Sequence, residues 1–354
     1  MSDKVRIKRA LISVSDKTGL EEFGRQLQEL GVEILSTGGT LRKLKEANVQ
    51  AVSVSTFTGE PEILGGRVKT LHPKVHAGIL CRRENEQDIE KLRELEYRLI
   101  DLVVVNLYPF QQTLAKPDSD DAEIIENIDI GGPTMVRAAA KNFESVTIIT
   151  DPADYDKLIE QLKADDRTTD LQFRKECAGK AYVLTAQYDR AVAGYFASGK
   201  SEEGALFPAR MHQDFSFRTK TRYGENPHQK AALYARDDFK AATLLNAEVL
   251  SGKELSFNNY GDLDACLDML LDFEEPFACV LKHANPCGAA VGATVAEAYQ
   301  KAYDSDPLSA FGSIIGINKE VDIACAKAMH ETPFVECILA PGFSDDAFKL
   351  LKKK

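Results

Sequence analysis

Leu99-Ile100-Asp101-Leu102-Val103-Val104-Val105-Asn106-Leu107 is an almost uninterrupted apolar run. A strand with one solvated face alternates apolar and polar residues. A continuous Val- and Leu-rich run instead predicts a strand buried on both faces, as in a parallel sheet covered by helices. The flanking sequence repeats that design. Ala10–Ser15 and Val32–Ser36 are short apolar runs, Val49–Ser55 reads as a third strand and Val146–Thr150 as another. Between them, Leu20, Phe23, Leu27 and Leu30 recur at helical spacing, Leu41–Ala47 reads as a second helix, and Asp151-Pro152 opens a further one. This alternation predicts an α/β domain over residues 1–150, a parallel sheet with helices on both faces.

The texture then changes. From about Asp154 to Ser198 the pattern is mainly helical, with Ala, Leu and Tyr at i, i+3, i+4 and no Pro after Asp166, which reads as a helical connector over residues 151–215. Ser201–Phe215 is polar, contains Gly and Pro, and marks the expected boundary. A second region, 216–354, holds probable helices around Leu263–Phe273 and Val295–Tyr303 and a buried strand, Phe277–Leu281, that runs directly into Lys282-His283. It stops at Lys352-Lys353-Lys354 soon after a helical segment, abruptly for a domain begun near residue 217.

Composition narrows the function. The 354 residues are 44% hydrophobic, enough for normal cores, and carry a formal net charge of −11. An acidic total argues against broad nucleic-acid binding, which needs a large positive field, but leaves room for a small basic pocket. The seven Cys form no C-x-x-C pair, so no zinc knuckle or thioredoxin-like motif is present. Met1–Ala10 lacks the apolar core of a signal peptide, and no apolar run is long enough to span a bilayer. A cytoplasmic protein with reduced thiols, no membrane partner and no metal is expected.

Five segments carry residues suited to chemistry. Thr37-Gly38-Gly39-Thr40 lies between a strand and a helix, where glycines admit a ligand and free N–H groups attract an anion. Ser15, Asp16 and Lys17 follow the preceding strand, at the edge where open α/β sheets bind ligands. Both segments also read as ordinary capped turns, and the glycine spacing fits neither a Walker A loop nor a dinucleotide fingerprint. Gly65-Gly66-Arg67-Val68-Lys69-Thr70-Leu71-His72-Pro73 is either a loop that closes on anionic groups or a solvated basic turn. His72 and His76 are four apart, but without a carboxylate at zincin spacing they read as hydrogen-bonding or packing residues. Asn106 and Tyr108 leave the most apolar strand toward the ligand edge. Asp129-Ile130-Gly131-Gly132-Pro133 opens a helix that carries Arg137 and Lys141 on one face, with Asp129 at its positive end. Lys282-His283 at a strand end offers a base beside a cation, or a structural histidine. Nothing near Cys287 marks it as a nucleophile.

In order along the chain, S-V-S-D-K-T-G (Ser13–Gly19), S-T-G-G-T (Ser36–Thr40), G-G-R-V-K-T-L-H-P (Gly65–Pro73), N-L-Y-P-F (Asn106–Phe110), I-D-I-G-G (Ile128–Gly132), R-A-A-A-K-N (Arg137–Asn142), R-Y-G-x-N-P-H-Q (Arg222–Gln229), K-H-A-N-P-C-G (Lys282–Gly288) and S-A-F-G (Ser309–Gly312) resemble one family. That family is the bifunctional purine biosynthesis proteins, which join inosine monophosphate (IMP) cyclohydrolase to phosphoribosylaminoimidazolecarboxamide (AICAR) formyltransferase. The resemblance implies a methylglyoxal-synthase-like N-terminal domain and a cytidine-deaminase-like formyltransferase lobe. It implies that Ser15, Asp16, Lys17, Thr37, Gly38, Gly39, Thr40, Arg67, Thr70, Asn106 and Ile130 bind a purine nucleotide. Lys69, Tyr108, Asp129 and Lys141 would surround the closing ring, with Lys141 the main proton donor and acceptor and no cofactor needed. For formyl transfer from the co-substrate 10-formyltetrahydrofolate, His283 would be the base and Lys282 would stabilise charge. Arg222 and Tyr223 would hold the nucleotide, with Gly312 and Glu336 nearby. The resemblance also implies a homodimer. Family members continue past residue 354 into a further lobe, so cyclisation is expected to be retained here and formyl transfer impaired. The competing classes are a non-catalytic nucleotide-binding regulatory module of the methylglyoxal-synthase-like kind, which would not need Lys69, Tyr108, Asp129 and Lys141, and methylglyoxal synthase itself, which would leave the long second region unexplained.

Overall fold

The computed structural model describes residues 3–197, 212–236, 239 and 241–353. Most of the expected boundary Ser201–Phe215, with Ser198 and Lys354, lies outside them. The chain forms two compact units, Met1–Met211 and His212–Lys354.

The first unit contains strands β1 (Lys4–Arg6), β2 (Arg9–Ser13), β3 (Glu33–Ser36), β4 (Ala51–Ser53), β5 (Leu102–Val105), β6 (Thr147–Ile149) and β7 (Thr168–Asp170). Five of them form a parallel sheet in the order β4-β3-β2-β5-β6. The apolar run Leu99–Leu107 supplies an inner strand of it, and all four residues of β5 are buried. The single acid of that run, Asp101, serves the sheet's edge. Its carboxylate accepts the backbone N–H groups of Lys8 and Arg9, each at 3.0 Å. β1 pairs antiparallel with β7 in a separate ribbon.

Helices α1 (Leu20–Glu29), α2 (Gly38–Glu46), α3 (Val54–Thr58), α4 (Pro73–Leu80), α5 (Glu86–Glu94), α6 (Phe110–Leu114), α7 (Asp121–Glu126), α8 (Gly131–Lys141), α9 (Tyr155–Ala164) and α10 (Leu171–Ala197) surround the sheets. Two expectations are corrected. The third strand ends at Ser53, because the Ser53 hydroxyl accepts the Thr56 N–H and starts α3. The long helical stretch is interrupted by strand β7, which β1 captures between α9 and α10. α10 packs on α8 and β6, and its Phe173, Cys177, Ala178 and Ala181 join the main core. Arg174, fully buried there, is satisfied by the carbonyls of Phe143, Thr169 and Glu144.

The second unit has a two-stranded antiparallel hairpin, β8 (Phe215–Lys220) and β9 (Ala232–Arg236). It also has a four-stranded sheet of β10 (Phe277–Lys282), β11 (Asn285–Val291), β12 (Ser313–Ile317) and β13 (Val335–Leu339). The order is β11-β10-β12-β13, with only β12 and β13 parallel. Alternation along β10 sends Ala278 and Val280 into one core and Phe277, Cys279 and Leu281 into another. Helices Val295–Ser305 and Ile323–Glu331 cover the first face, and Phe257–Leu271 the second.

Among the described residues, no helix is long and apolar enough to cross a membrane, and no group of His, Cys, Asp or Glu is placed to hold a metal ion. The seven cysteines are free thiols.

Candidate active site

In a parallel sheet every strand ends on the same edge. Chain connections leave β2 and β5 in opposite directions, and the crevice this opens at the C-terminal edge is the expected ligand site. A pocket of about 700 Å³ occupies it. It is lined by Ser15 and Lys17 after β2, Thr37 to Thr40 after β3, Arg67, Lys69 and Thr70, Asn106 and Tyr108 after β5, and Asp129 and Ile130 before α8.

The floor is rigid by hydrogen bonding. Thr40 Oγ1 accepts the Val14 N–H at 3.0 Å and donates to the Val14 carbonyl at 2.9 Å. The Asn106 amide oxygen accepts the N–H groups of Ser15 at 2.6 Å and Asp16 at 3.0 Å, and its NH₂ donates to the Asp16 carbonyl. Asn106 therefore shapes the loop after β2, and its polar atoms are spent on that loop. Asp16 turns away from the pocket. Its carboxylate accepts the backbone N–H and hydroxyl of Thr18, which hold it below the usual carboxylate range. It lines a neighbouring cleft with Asp151 and Tyr155.

Three features make the pocket attractive to an anion. Helix α2 begins at Gly38 with no side chain capping its first turn, so its N–H groups are free to face a ligand. Gly38 has a left-handed φ of 46°, a conformation that favours glycine. Lys17 lies beside Gly39 and donates to the Ser15 carbonyl at 3.1 Å. Arg67 reaches across the opening to pair with Glu126 on α7, a partner that no local pattern in the sequence marks.

At the other end of the pocket, Lys69 Nζ stands 3.4 Å from Tyr108 Oη. Asp129 Oδ1 accepts the Gly132 N–H at 2.8 Å, capping the start of α8. Burial raises the Asp129 carboxyl above its ordinary range, against the opposing pull of the Gly132 and Tyr108 backbone N–H groups and of Lys69. Gly132 has to be glycine: a Cβ there would sit 2.4 Å from Asp129 Oδ2.

Lys141 does not join these residues. It is the last residue of α8, whose first turn is at the pocket, so about 15 Å of helical rise separates it from Gly131. Arg137, one turn earlier, lies over the Tyr182 ring. His72 Nδ1 accepts the Lys74 N–H and caps α4, while burial lowers the pKa of His76.

In the second unit, the expected residues fall in a linked but open arrangement. Lys282 pairs with Asn285 across the β10–β11 turn, leaving His283 and Ala284 as the two turn residues. Both have left-handed φ, 54° and 58°, strained for non-glycine residues and matching the hairpin turns that twist like their strands. The Ala284 N–H donates to Asp262 at 2.7 Å, which ties the turn to helix Phe257–Leu271. The His283 side chain is exposed. Lys282 Nζ donates to the Phe311 carbonyl at 3.0 Å, next to Gly312 with its φ of 72°. Glu336 accepts from Asn259 at 3.0 Å, and Arg222 lies over Tyr223 and lowers its phenol pKa. Burial pushes the Cys287 thiol up, against a nucleophilic role.

The first unit is thus a parallel α/β domain with a polar pocket at the C-terminal edge of its sheet, and comparison with known proteins narrows its class. The MGS-like domain model matches residues 19–134, and the AICARFT/IMPCHase bienzyme model matches residues 139–354. The bifunctional purine biosynthesis protein PurH of Bacillus mycoides (strain KBAB4) is 48% identical over 347 residues, spanning 98% of this chain and 67% of the relative. That of Shouchella clausii (strain KSM-K16) is 49% identical over 348 residues, with the same shares. The crystal structure of ForH matches with a TM-score of 0.50 and 38% identity, covering 54% of this chain and 99% of ForH. The chain belongs to the PurH family of bifunctional purine biosynthesis proteins, and spans about two thirds of the length of these relatives.

Proposed function

We propose that the N-terminal unit converts formylated AICAR to IMP with loss of water. The observation that carries this reading is the meeting of Lys69, Tyr108 and Asp129 in the same pocket as the free start of α2, Lys17 and Arg67. One end suits a phosphate and the other suits proton movement. The α2 N–H groups, Lys17 and Arg67 hold the phosphate. The carboxamide nitrogen attacks the formyl carbon of the same molecule, so the protein's task is to fold the substrate and move protons. Ionised Asp129 accepts the proton leaving the nitrogen. Lys69 and the Tyr108 hydroxyl stabilise charge on the formyl oxygen and protonate it. The former formamide nitrogen then gives up its own proton as its lone pair forms the ring C=N bond and expels the oxygen. The two N–H protons and the formyl oxygen thus leave together as one water.

Ultraviolet detection of IMP formation from the formylated nucleotide tests the reading directly. Binding of the nucleotide with no turnover would favour a regulatory module instead. Lys141→Ala belongs in the same assay. A loss equal to that of Lys69→Ala would require Lys141 to reach a pocket other than the one its own helix opens.

Two variants probe the site's ends. Glu126→Gln releases Arg67, and IMP is expected to bind up to about fivefold tighter by calorimetry, the size typical of an exposed ion pair. Asp129→Asn is expected to abolish most turnover yet make the unit more stable near pH 7. The sign follows from burial. A carboxyl whose folded pKa lies above its unfolded value stabilises the fold while protonated, and that contribution is lost as pH rises through the folded pKa. Urea midpoints at pH 4 and pH 7 check it: the Asn variant's advantage should appear only at the higher pH. In the wild type, kcat should fall as pH drops through the raised Asp129 value.

We also propose that Lys282 and His283, with Arg222, Tyr223, Gly312 and Glu336, are this chain's contribution to formyl transfer from 10-formyltetrahydrofolate to AICAR. The exposed setting of His283 supports the view that residues 212–354 do not perform that step by themselves. Formyl-AICAR formation from AICAR and 10-formyltetrahydrofolate by this chain would overturn that view.

A further inference from the structure

The pocket wall from Tyr108 to Asp129 is not held by the parallel sheet. It consists of two short helices, α6 and α7, and loops, elements with little stability of their own. What backs it is the second half of α10. Phe110, Ile124 and Tyr188 form a small buried cluster with Leu107, Ile128, Ala191, Val192 and Tyr195 around it. Tyr188 and Tyr195 both meet the Phe110 ring edge-on, at 6.1 Å between centroids. Two hydroxyls then reach through to the wall. Tyr195 Oη donates to the Asp121 carboxylate at 3.0 Å. Tyr188 Oη accepts the Asp129 N–H at 2.7 Å and donates to the Asn127 carbonyl at 3.3 Å.

We infer that Tyr188 is a positioning residue for Asp129, and that α10 completes the reaction pocket from outside the methylglyoxal-synthase-like region. The inference rests on the cyclisation reading. Its support is geometric. One buried phenol satisfies both the N–H of Asp129 itself and a carbonyl two residues before it, so it fixes the backbone on which the carboxylate is mounted. The Gly132 N–H fixes the carboxylate from the other side. The spacing of Lys69 and Tyr108 from Asp129 then depends on where Asp129 is held. The region matched as MGS-like ends at residue 134, whereas Tyr188 lies in the part matched only by the bienzyme model. A nucleotide-binding module needs the phosphate end of the pocket. Proton transfer needs Asp129 within tenths of an ångström of its place.

Tyr188→Phe tests this in the full chain, since it keeps the ring and its packing and removes only the hydroxyl. The expected result is about a tenfold loss of kcat, with IMP affinity and the KM of the formylated nucleotide within twofold of wild type. The acid limb of the kcat profile should move to lower pH, because a loosened wall admits water to the Asp129 carboxyl. Amide exchange at Asp129, read by nuclear magnetic resonance, should rise at least tenfold while exchange in β5 stays unchanged. Unchanged kcat and pH profile, or unchanged exchange at Asp129, overturns the inference. The exchange measurement needs no turnover. A wild-type chain that fails to form IMP would thus sink the cyclisation reading, while the hold of Tyr188 on Asp129 would still be decided by exchange. Should Tyr188→Phe lose its fold, Tyr195→Phe removes the neighbouring anchor with less packing at stake. It is expected to raise exchange over residues 121–129 in the same way, and unaltered exchange there would count equally against the proposal.

Discussion

Lys69→Met is expected to lower kcat for IMP formation by about 10²- to 10³-fold, the cost of removing one preorganised donor from a developing oxyanion. Met keeps most of the stem's length and apolar surface, so the pocket's shape changes little. What disappears is the positive charge 3.4 Å from Tyr108 Oη. In the substrate the formyl oxygen is neutral, and in the transition state it carries negative charge. An interaction that grows between those two states acts on kcat rather than on binding. The phosphate contacts proposed for α2, Lys17 and Arg67 are untouched by this change, and KM should stay within about threefold. Lys69→Arg should recover only part of the rate. Its planar fork retains the charge but does not place one donor where the ammonium was. A Lys69→Met enzyme within threefold of wild-type kcat would remove this residue from the reaction and leave the pocket a binding site. Progress curves for IMP at saturating substrate decide the matter, with calorimetry on IMP to separate binding from chemistry.

The end of the pocket built by the start of α2 is legible in the sequence because local rules build it. Thr37 to Thr40 is a strand-to-helix turn, and its glycines and following helix carry their meaning within four residues. The double burial of β5 is equally plain, since four consecutive buried residues leave no alternation. Tertiary pairing is not legible. Nothing near Glu126 marks it as the partner of Arg67, 59 residues away. Tyr188 sits in a helix whose pattern reads as a connector, and its role is set by the distant Asp129 N–H. A place at the strand end points Asn106 toward the ligand, whereas its amide is consumed by the Ser15–Asp16 loop. Lys141 shows the same limit in reverse. The family resemblance implies that it surrounds the closing ring. In the structure it is the last residue of α8, about 15 Å of helical rise from Gly131.

Gly288→Ala is expected to destabilise the C-terminal unit by about 3 kcal/mol or more, beyond the usual cost of overpacking by one methyl. The segment Lys282–Gly288 stands out in the sequence for its Lys-His pair, but its glycine answers to packing. Gly288 pairs with Val280 on the central strand β10, beside the register shift that follows Val280. On its outer face lies the helix Val295–Ser305. A Cβ at Gly288 would stand 1.8 Å from the Ala302 carbonyl oxygen and 2.8 Å from its carbon. Neither is the end of a flexible side chain, so relief requires the helix to lift from the sheet. Lifting it opens the core that holds Val280, Ala298, Tyr299 and Ala302, where Tyr299 is fully buried and bonded to Thr332. Urea unfolding followed by a probe in this unit should show the midpoint move sharply down, or no folded baseline at all. Cyclisation per mole of chain should remain near wild type, because every residue assigned to that reaction lies before residue 142 and its positioning helix ends at Ala197. A variant that keeps the wild-type midpoint would mean that β11 can shift away from the helix without loss. A variant that loses cyclisation along with its C-terminal fold would mean that the first unit depends on the second for activity.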